Sequence, residues 1–335
     1  MDDELQAMEN NKTRSIVPLP EGKHVIECKW VYKIKHNPDG TIERHKARLV
    51  AKGFTQIEGI DYTDTFSPVA KLTSFKVLLT LVASRGWHLM QLDVNNTFLN
   101  GTLDEEAYMQ IPLGLFTSEQ GTNLACKLHK SIYGLKQASR QWFSAFSQVL
   151  LQYGFVQSHS DHSMFTKGEG ADLVVLLVYV DDIVLDQSDD NLSQVKSFLS
   201  NNFKLKDLGP LRYFLGFEIA INDTGISLCQ RHYALKLLED TSTLAKKPVN
   251  TPMVSPHKLS TDEGDLLEDL GLYRRLIGCL LYLTHTRPDI VYVVHILSLF
   301  VSSPRQPHLL DVQHLLTYIK KAPGLWLFFP VSNNL

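Results

Sequence analysis

Leu173–Leu185 reads LVVLLVYVDDIVL: eight apolar residues run into two adjacent carboxylates, Asp181 and Asp182, and three apolar residues follow. A run of this length bounded by polar residues suits a buried strand, and its β-branched content favours strand over helix. Two acids between apolar arms suit the tight turn of a hairpin, because Asp tolerates unusual backbone angles. On that plainer reading the acids are only a hairpin's polar tip, and a short motif alone does not displace it. The rest of the chain does.

The chain has 335 residues, 44% hydrophobic and 21% charged, enough to bury a sizeable core in two domains or in one divided into subdomains. A net charge of −3 excludes an overall basic coat, so any nucleic-acid binding is local. Cys28, Cys126, Cys229 and Cys279 lie far apart without CxxC spacing, which argues against a disulfide framework or a zinc site and fits a reducing compartment. The start, Met1-Asp2-Asp3-Glu4, is wrong for a secretory signal, and no apolar run is long enough to span a bilayer, so no membrane partner is expected.

Upstream of the hairpin, residues 1–22 read as a polar lead ending in a turn around Pro18, Pro20 and Gly22. Cys28–Ile34 alternates as a strand, Asn37-Pro38-Asp39-Gly40 signals a turn, and a second strand runs through Val50. Between Lys23 and Lys52 eight Lys/Arg face three acids, a local charge of +5 with Trp30, Tyr32 and Phe54 interleaved. Such a hairpin is either an edge kept soluble by lysine or a clamp for phosphates. Leu72–Ser84 has helical spacing with Ser74 as its cap, and Trp87–Asp93 alternates into a strand ending on an acid. Phe98 and an Asn100–Gly101 turn follow, and Lys130–Phe143 sets a glycine turn before an amphipathic helix carrying Lys136, Gln137, Arg140 and Trp142.

Downstream, Asn191–Asn202 reads as a helix, Lys204–Pro210 as a turn, and Arg212–Ile221 as one strand. Ile226–Cys229 reads as a strand, His232–Glu239 as a helix, and Lys246–Asp269 as a Pro/Ser/Thr/Asp-rich linker. Helices over Tyr273–Thr284, Pro288–Val301 and Leu309–Lys321 make the last third helical, with proline opening the second. Trp326–Leu335 contains an apolar LWLFF strand with no evident partner, and further chain is expected after it.

Asp93 precedes Asp181 by 88 residues, so their meeting would be tertiary. Mg²⁺ is a hard cation that takes oxygen ligands, and two ions about 3.5–4 Å apart clamp both oxygens of a phosphoryl displacement. Carboxylates at neighbouring strand ends, with a backbone carbonyl such as that of Val94, would supply those ligands from rigid elements.

That arrangement resembles a polymerase palm. The stretches 29–54 (KWVYKIKHNPDGTIERHKARLVAKGF), 61–74, 91–112 (QLDVNNTFLNGTLDEEAYMQIP), 130–142 (KSIYGLKQASRQW), 179–183 (YVDDI), 206–219 (KDLGPLRYFLGFEI), 251–260, 273–290 and 322–329 together resemble the reverse transcriptase of copia-type long-terminal-repeat retrotransposons. The resemblance spans nearly the whole chain, in the family's order. It implies an α+β right-hand fold of fingers, palm and thumb, with an antiparallel palm sheet and a helical C-terminal thumb. Residues 1–22 would be an N-terminal lead, 23–88 and 103–136 fingers, 89–102 and 137–221 palm, 222–323 thumb, and 324–335 the start of a connection to an RNase H region.

The resemblance also implies roles. Asp93, Asp181 and Asp182 would be the catalytic carboxylates, holding two Mg²⁺ with the Val94 carbonyl; Mn²⁺ is the substitute ion. Phe98 would sit under the incoming sugar and select deoxynucleotides, and Tyr133, Gly134 and Lys136 would border the nucleotide. Lys46 and Arg48 would take the triphosphate, with Lys52 and Lys33 as competitors. Tyr179, Leu215-Gly216-Phe217 and the helical face of Arg274, Gly278 and Tyr282 would contact primer and template. For the last three, ordinary helix packing is an equal alternative. Partners would be an RNA or DNA template with its primer, deoxynucleoside triphosphates, and a parent polyprotein with integrase and RNase H. The place would be a cytoplasmic virus-like particle or the nucleus.

The chain departs from the family at Asn95 (usually lysine), Ser139 (proline), Arg14 (tryptophan), Cys279 (lysine) and Asp186–Gln187 (Thr-Gly). No metal ligand is lost, but charge and rigidity are, which suggests a drifting copy. A second reading is therefore a remnant that binds nucleic acid without polymerising. A palm-type nucleotide cyclase leaves the basic hairpin and the helical third unexplained.

Overall fold

The computed structural model describes residues 1–36, 39–115, 123–187, 189–254 and 259–331. The Asn37–Pro38 part of the expected turn and linker residues 255–258 lie outside the described residues, as do 116–122 and 332–335. The chain divides into two compact units, Met1–Leu78 with Trp87–Pro210, and Leu79–Gly86 with Leu211–Leu335.

In the first unit come α1 (Asp2–Asn10), β1 (Arg14–Pro18), β2 (Val25–Ile26), β3 (Cys28–His36), β4 (Ile42–Ala51), and α2 (Leu72–Arg85), whose latter half belongs to the second unit. Then follow β5 (His88–Val94), β6 (Thr102–Met109), β7 (Leu124–Lys130), α3 (Ala138–Gln152), β8 (Val156–Gln157), β9 (Met164–Lys167), β10 (Val174–Tyr179), β11 (Asp182–Gln187), α4 (Asp189–Asn202) and β12 (Leu205–Pro210). The central sheet runs β12-β5-β11-β10-β9-β8, all antiparallel. A second sheet runs β1-β7-β6-β2, and β3 and β4 form a separate hairpin.

β10 is buried on both faces, which is why its sequence is a continuous apolar run rather than an alternation. Val174, Leu176 and Val178, with Ile183, Leu185, Leu92 and Val94, pack against Trp142, Phe146 and Leu150 of α3 and Val195 and Leu199 of α4. Strand side chains alternate faces, so Tyr179, Asp182 and Asp93 stand on the face opposite those helices.

Residues 1–22 are no mere lead: α1 buries Glu4 and Met8, and β1 pairs with β7, its partner more than 100 residues away. Ser74 does not cap α2; it lies inside the helix and hydrogen-bonds the Asp161 carboxylate, which also accepts from Lys71 N at 3.0 Å. Lys204–Pro210 is not only a turn, because Leu205–Pro210 forms the sheet-edge strand beside β5, with a bulge between Asp207 and Gly209.

The second unit contains β13 (Tyr213–Phe214), β14 (Phe217–Asn222), β15 (Gly225–Cys229), α5 (Arg231–Asp240), α6 (Leu270–Leu283), α7 (Val291–Ser298), α8 (Gln306–Lys321) and β16 (Trp326–Pro330). Leu237, Tyr273, Leu276, Leu280, Val294, Leu315 and Ile319 join α5 to α8 in one core. Arg212–Ile221 is not one strand but two, folded at Leu215–Gly216. The apolar end does have a partner: β16 pairs antiparallel with β15, from Cys229↔Trp326 to Gly225↔Pro330. The partner of β16 is not local, so this pairing does not show in local periodicity.

Arg14 stands where the resemblance expects tryptophan. Its side chain is only 6% exposed, and Nη2 ion-pairs with Glu9 at 3.5 Å, but among the described residues neither Nε nor Nη2 makes a hydrogen bond. A buried, under-partnered guanidinium is costly. Arg14→Trp is expected to raise unfolding stability by about 1–3 kcal/mol, read as a higher urea midpoint at unchanged slope. An equal or lower midpoint would mean the guanidinium is satisfied.

Candidate active site

One row of residues crosses four strands. Tyr179 pairs with Asp182, Asp182 with Asp93, and Asp93 with Lys206. Direct cross-strand partners share a face with Cβ atoms about 4.5–5.5 Å apart. Gln91, two residues before Asp93 and so on the same face, donates from Nε2 to Asp182 Oδ1 at 3.0 Å.

Asp181 sits in the two-residue turn between β10 and β11. The turn is Val180–Asp181, not Asp181–Asp182 as the sequence suggests, and its left-handed residue is Val180 at φ +55°. A β-branched residue in that region is strained, and the surroundings hold it there. Trp142 Nε1 donates to Val180 O at 2.7 Å, and Val94 N donates to Asp181 O at 2.9 Å. The Asp181 backbone is thus tied to β5 and its neighbour to α3.

Burial, and then the charge of Asp181, hold the Asp93 carboxyl above the usual range; Lys46, Lys206 and Arg48 pull it the other way. Burial also raises Asp182, against the Gln91 hydrogen bond, and the charges of Asp181 and Asp93 add to the rise. The donor set is all oxygen, and its mutual repulsion is of the kind a divalent cation relieves. Among the described residues, no three His, Cys, Asp or Glu side chains are gathered into a formed metal cage. The Val94 carbonyl accepts from Thr97 Oγ1 at 2.7 Å, and a carbonyl oxygen has two lone pairs.

The nucleotide-side residues form a stack. Arg48 lies 4.4 Å over the Tyr133 ring, and Tyr133 meets Phe98 edge-on at 4.9 Å. Lys46 shares the Arg48 face of β4, and the charges of both reach Asp93. Of their competitors, Lys52 is ion-paired to Glu27, and Lys33 lies directly across from Lys46. Gly134, at φ +91°, lets its turn pack against β4: a Cβ there would overlap Ala51 O and Val50. Its close approach is to the protein's own backbone. Lys136 Nζ is engaged by Gln56 O at 3.2 Å and Tyr62 Oη at 3.1 Å, so it ties down the 56–62 segment.

The remaining candidates belong to the second unit. Leu215 (φ +52°) and Gly216 (φ +76°) form the left-handed pair of a two-residue hairpin between β13 and β14. Tyr282 Oη donates to Leu215 O at 2.5 Å, and its ring lies 5.9 Å from that of Phe217. Arg274 and Gly278 are exposed on α6, and Arg274 Nε donates to Val301 O at 2.9 Å. Gln91, Lys206 and Glu4 are not among the site residues expected from the sequence; period-two spacing from Asp93 identifies Gln91.

The family model for "Reverse transcriptase (RNA-dependent DNA polymerase)" matches residues 11–255. The chain belongs to this reverse transcriptase family. It is 44% identical over 337 residues to the retrovirus-related Pol polyprotein from transposon RE1 of Arabidopsis thaliana, covering 100% of this chain and 23% of that protein. Against the Pol polyprotein from transposon TNT 1-94 of Nicotiana tabacum the identity is 38%, covering 99% of this chain and 26% of the relative. A putative transposon Ty5-1 protein of Saccharomyces cerevisiae is 31% identical, covering 73% of this chain and 80% of its own length. The chain thus spans about a quarter of the two plant Pol polyproteins. A foamy viral protease–reverse transcriptase solved with double-stranded DNA aligns at TM-score 0.46 and 14% identity, over 95% of this chain and 48% of that one. Among the described residues no helix is long and apolar enough to cross a membrane.

Proposed function

We propose that this reverse transcriptase chain extends a primer 3′-hydroxyl with deoxynucleotides along an RNA or DNA template. The observation that carries this is Asp93 facing Asp182 across neighbouring strands, with Asp181 tied into the adjoining turn, on the sheet face away from α3 and α4. Asp93 and Asp181, with the Val94 carbonyl, are the ligands for divalent metal, two Mg²⁺ or Mn²⁺ in their place, and Asp182 is oriented by Gln91. Bound metal supplies the charge that activates the primer hydroxyl and stabilises the departing pyrophosphate.

The chain's own residues do the rest. Lys46 as point charge and Arg48 as fork receive the triphosphate, and Tyr133 braces Arg48 and Phe98 from between them. Phe98 lies under the sugar and clashes with a 2′-hydroxyl; Gly134 and Lys136 act from behind it, Gly134 by letting its turn pack on β4 and Lys136 by holding the 56–62 segment. Tyr179, the Leu215–Gly216 turn, and Arg274, Gly278 and Tyr282 contact primer and template, while Phe217, 2% exposed, packs beneath that turn against Tyr282 and supports it. In this reading residues 23–88 and 103–136 are fingers, 89–102 and 137–221 palm, and 222–323 thumb. The Pol relatives support release from, or work within, a larger polyprotein; in this reading that parent carries integrase and RNase H and works in a cytoplasmic particle or the nucleus.

Purified chain with a primed template, deoxynucleoside triphosphates and Mg²⁺ should extend the primer and stop on chelation. No extension at any divalent ion would reject the reading. Phe98→Ala should lower discrimination against ribonucleotides by about 10- to 200-fold, read as the ratio of kcat/KM for a deoxynucleotide over its ribonucleotide; an unchanged ratio would remove Phe98 from that role. The buried, under-partnered Arg14 favours one alternative, a remnant that binds primer–template in a salt-sensitive way without extending it.

A further inference from the structure

Among the described residues β4 pairs only with β3, so one of its edges has no strand beside it. The N–H groups of Leu49 and Ala51 alternate onto that open edge. Each has an acceptor from elsewhere: Ala51 N donates to Tyr133 O at 2.7 Å, and Leu49 N donates to Glu4 Oε1 at 3.4 Å. Arg48 lies next to the second anchor and stacks on the residue that makes the first. Lys46 is two residues earlier on the Arg48 face. Beside them a cavity of about 540 Å³ is lined by Glu4, Lys46, Asn95, Asn96 and Lys204 among others.

Glu4, in the first turn of α1, is 8% exposed. Burying a carboxylate is costly, and an apolar side chain would fill the space under α1 better if packing were the only need. Burial raises its pKa, while the Leu49 N–H, Arg48 and Lys46 favour the charged form. The charge and the acceptor oxygen therefore act on the strand that carries the two cations.

We propose that Glu4 is a positioning residue: from α1 it fixes the open edge of β4 and so sets Lys46 and Arg48 where the triphosphate is received. This rests on the nucleotide-binding reading above. Removing a negative charge near two cations should by electrostatics alone tighten triphosphate binding. Losing an anchor should weaken it. The two effects have opposite signs, which makes the test clean.

Glu4→Gln keeps an acceptor oxygen without the charge; Glu4→Leu removes both. Primer extension with Glu4→Leu should show KM for the deoxynucleotide raised about five- to tenfold at a kcat within twofold of the unmutated chain, and Glu4→Gln should restore KM to within about twofold. An unchanged KM for Glu4→Leu overturns the proposal, as does Glu4→Gln behaving like Glu4→Leu. A fall in kcat and urea midpoint with KM unchanged also overturns it, since that marks a purely structural role. If the unmutated chain does not extend primers, the polymerase reading fails and the second measurement decides: the tripolyphosphate concentration giving half-maximal thermal stabilisation. A five- to tenfold rise for Glu4→Leu but not for Glu4→Gln supports the anchor; equal values for all three reject it.

Discussion

Asp93→Asn is expected to cut single-nucleotide incorporation by about 10³-fold while leaving the metal-free protein at least as stable as the unmutated chain. The loss follows from removing a ligand oxygen and its charge where the metal would sit. The stability follows from the raised carboxyl: its folded pKa lies above the ordinary value of 3.8 because of burial and the Asp181 charge. Between the two values the native state binds more protons than the unfolded chain, so stability falls as pH rises through that window. The favourable contribution is complete below 3.8 and gone above the raised folded value. At neutral pH an ionised Asp93 is a burden that asparagine lacks. Chemical denaturation in chelator at pH 3 and pH 7 reads this directly: the gain should be present at pH 7 and absent at pH 3. Incorporation within tenfold of the unmutated rate, or a lower midpoint at pH 7, would show that Asp93 is a structural acid.

Gly134→Ala is expected to destabilise the first unit by about 3 kcal/mol or more, and to raise KM for the nucleotide in the molecules that still fold. The residue is left-handed, and a Cβ would overlap the backbone oxygen of Ala51, so both the turn and β4 must shift. Gly40 separates the two contributions. It has a similar φ of +86° but nothing within 4 Å of a Cβ, so Gly40→Ala should cost only about 1 kcal/mol. Equal urea midpoints for the two variants would mean that the contact with β4 is soft. The same shift would move Arg48, because Tyr133 both accepts from Ala51 N and carries the guanidinium on its ring.

The central hairpin was legible because a strand buried on both faces announces itself as an unbroken apolar run, and β10 is one. The turn was misread by one residue: Asp is the residue expected in a left-handed conformation, but Trp142 and β5 hold Val180 there instead. Long-range pairing was invisible where no alternation marks it. β1 meets β7 and β16 meets β15 across more than 90 residues, and β12 has charged and glycine residues where a strand would show apolar ones. Asp93, Asp181 and Asp182 could be named because strand ends and a hairpin tip are local features, but that Asp182 rather than Asp181 stands opposite Asp93 is a matter of register. Lys136 could not be assigned from composition, since a lysine beside a glycine turn reads the same whether it faces a ligand or, as here, a carbonyl and a phenol of its own chain.

Tyr282 is the hub of the second unit's hairpin: its hydroxyl grips the Leu215 carbonyl and fills the space a Cβ on Gly216 would need. That junction links the tip of β13–β14 to the helix α6 through one side chain. A shift of α6 at Tyr282 would therefore be felt at the tip of β13–β14, and Tyr282→Phe would leave the Leu215 carbonyl without this donor.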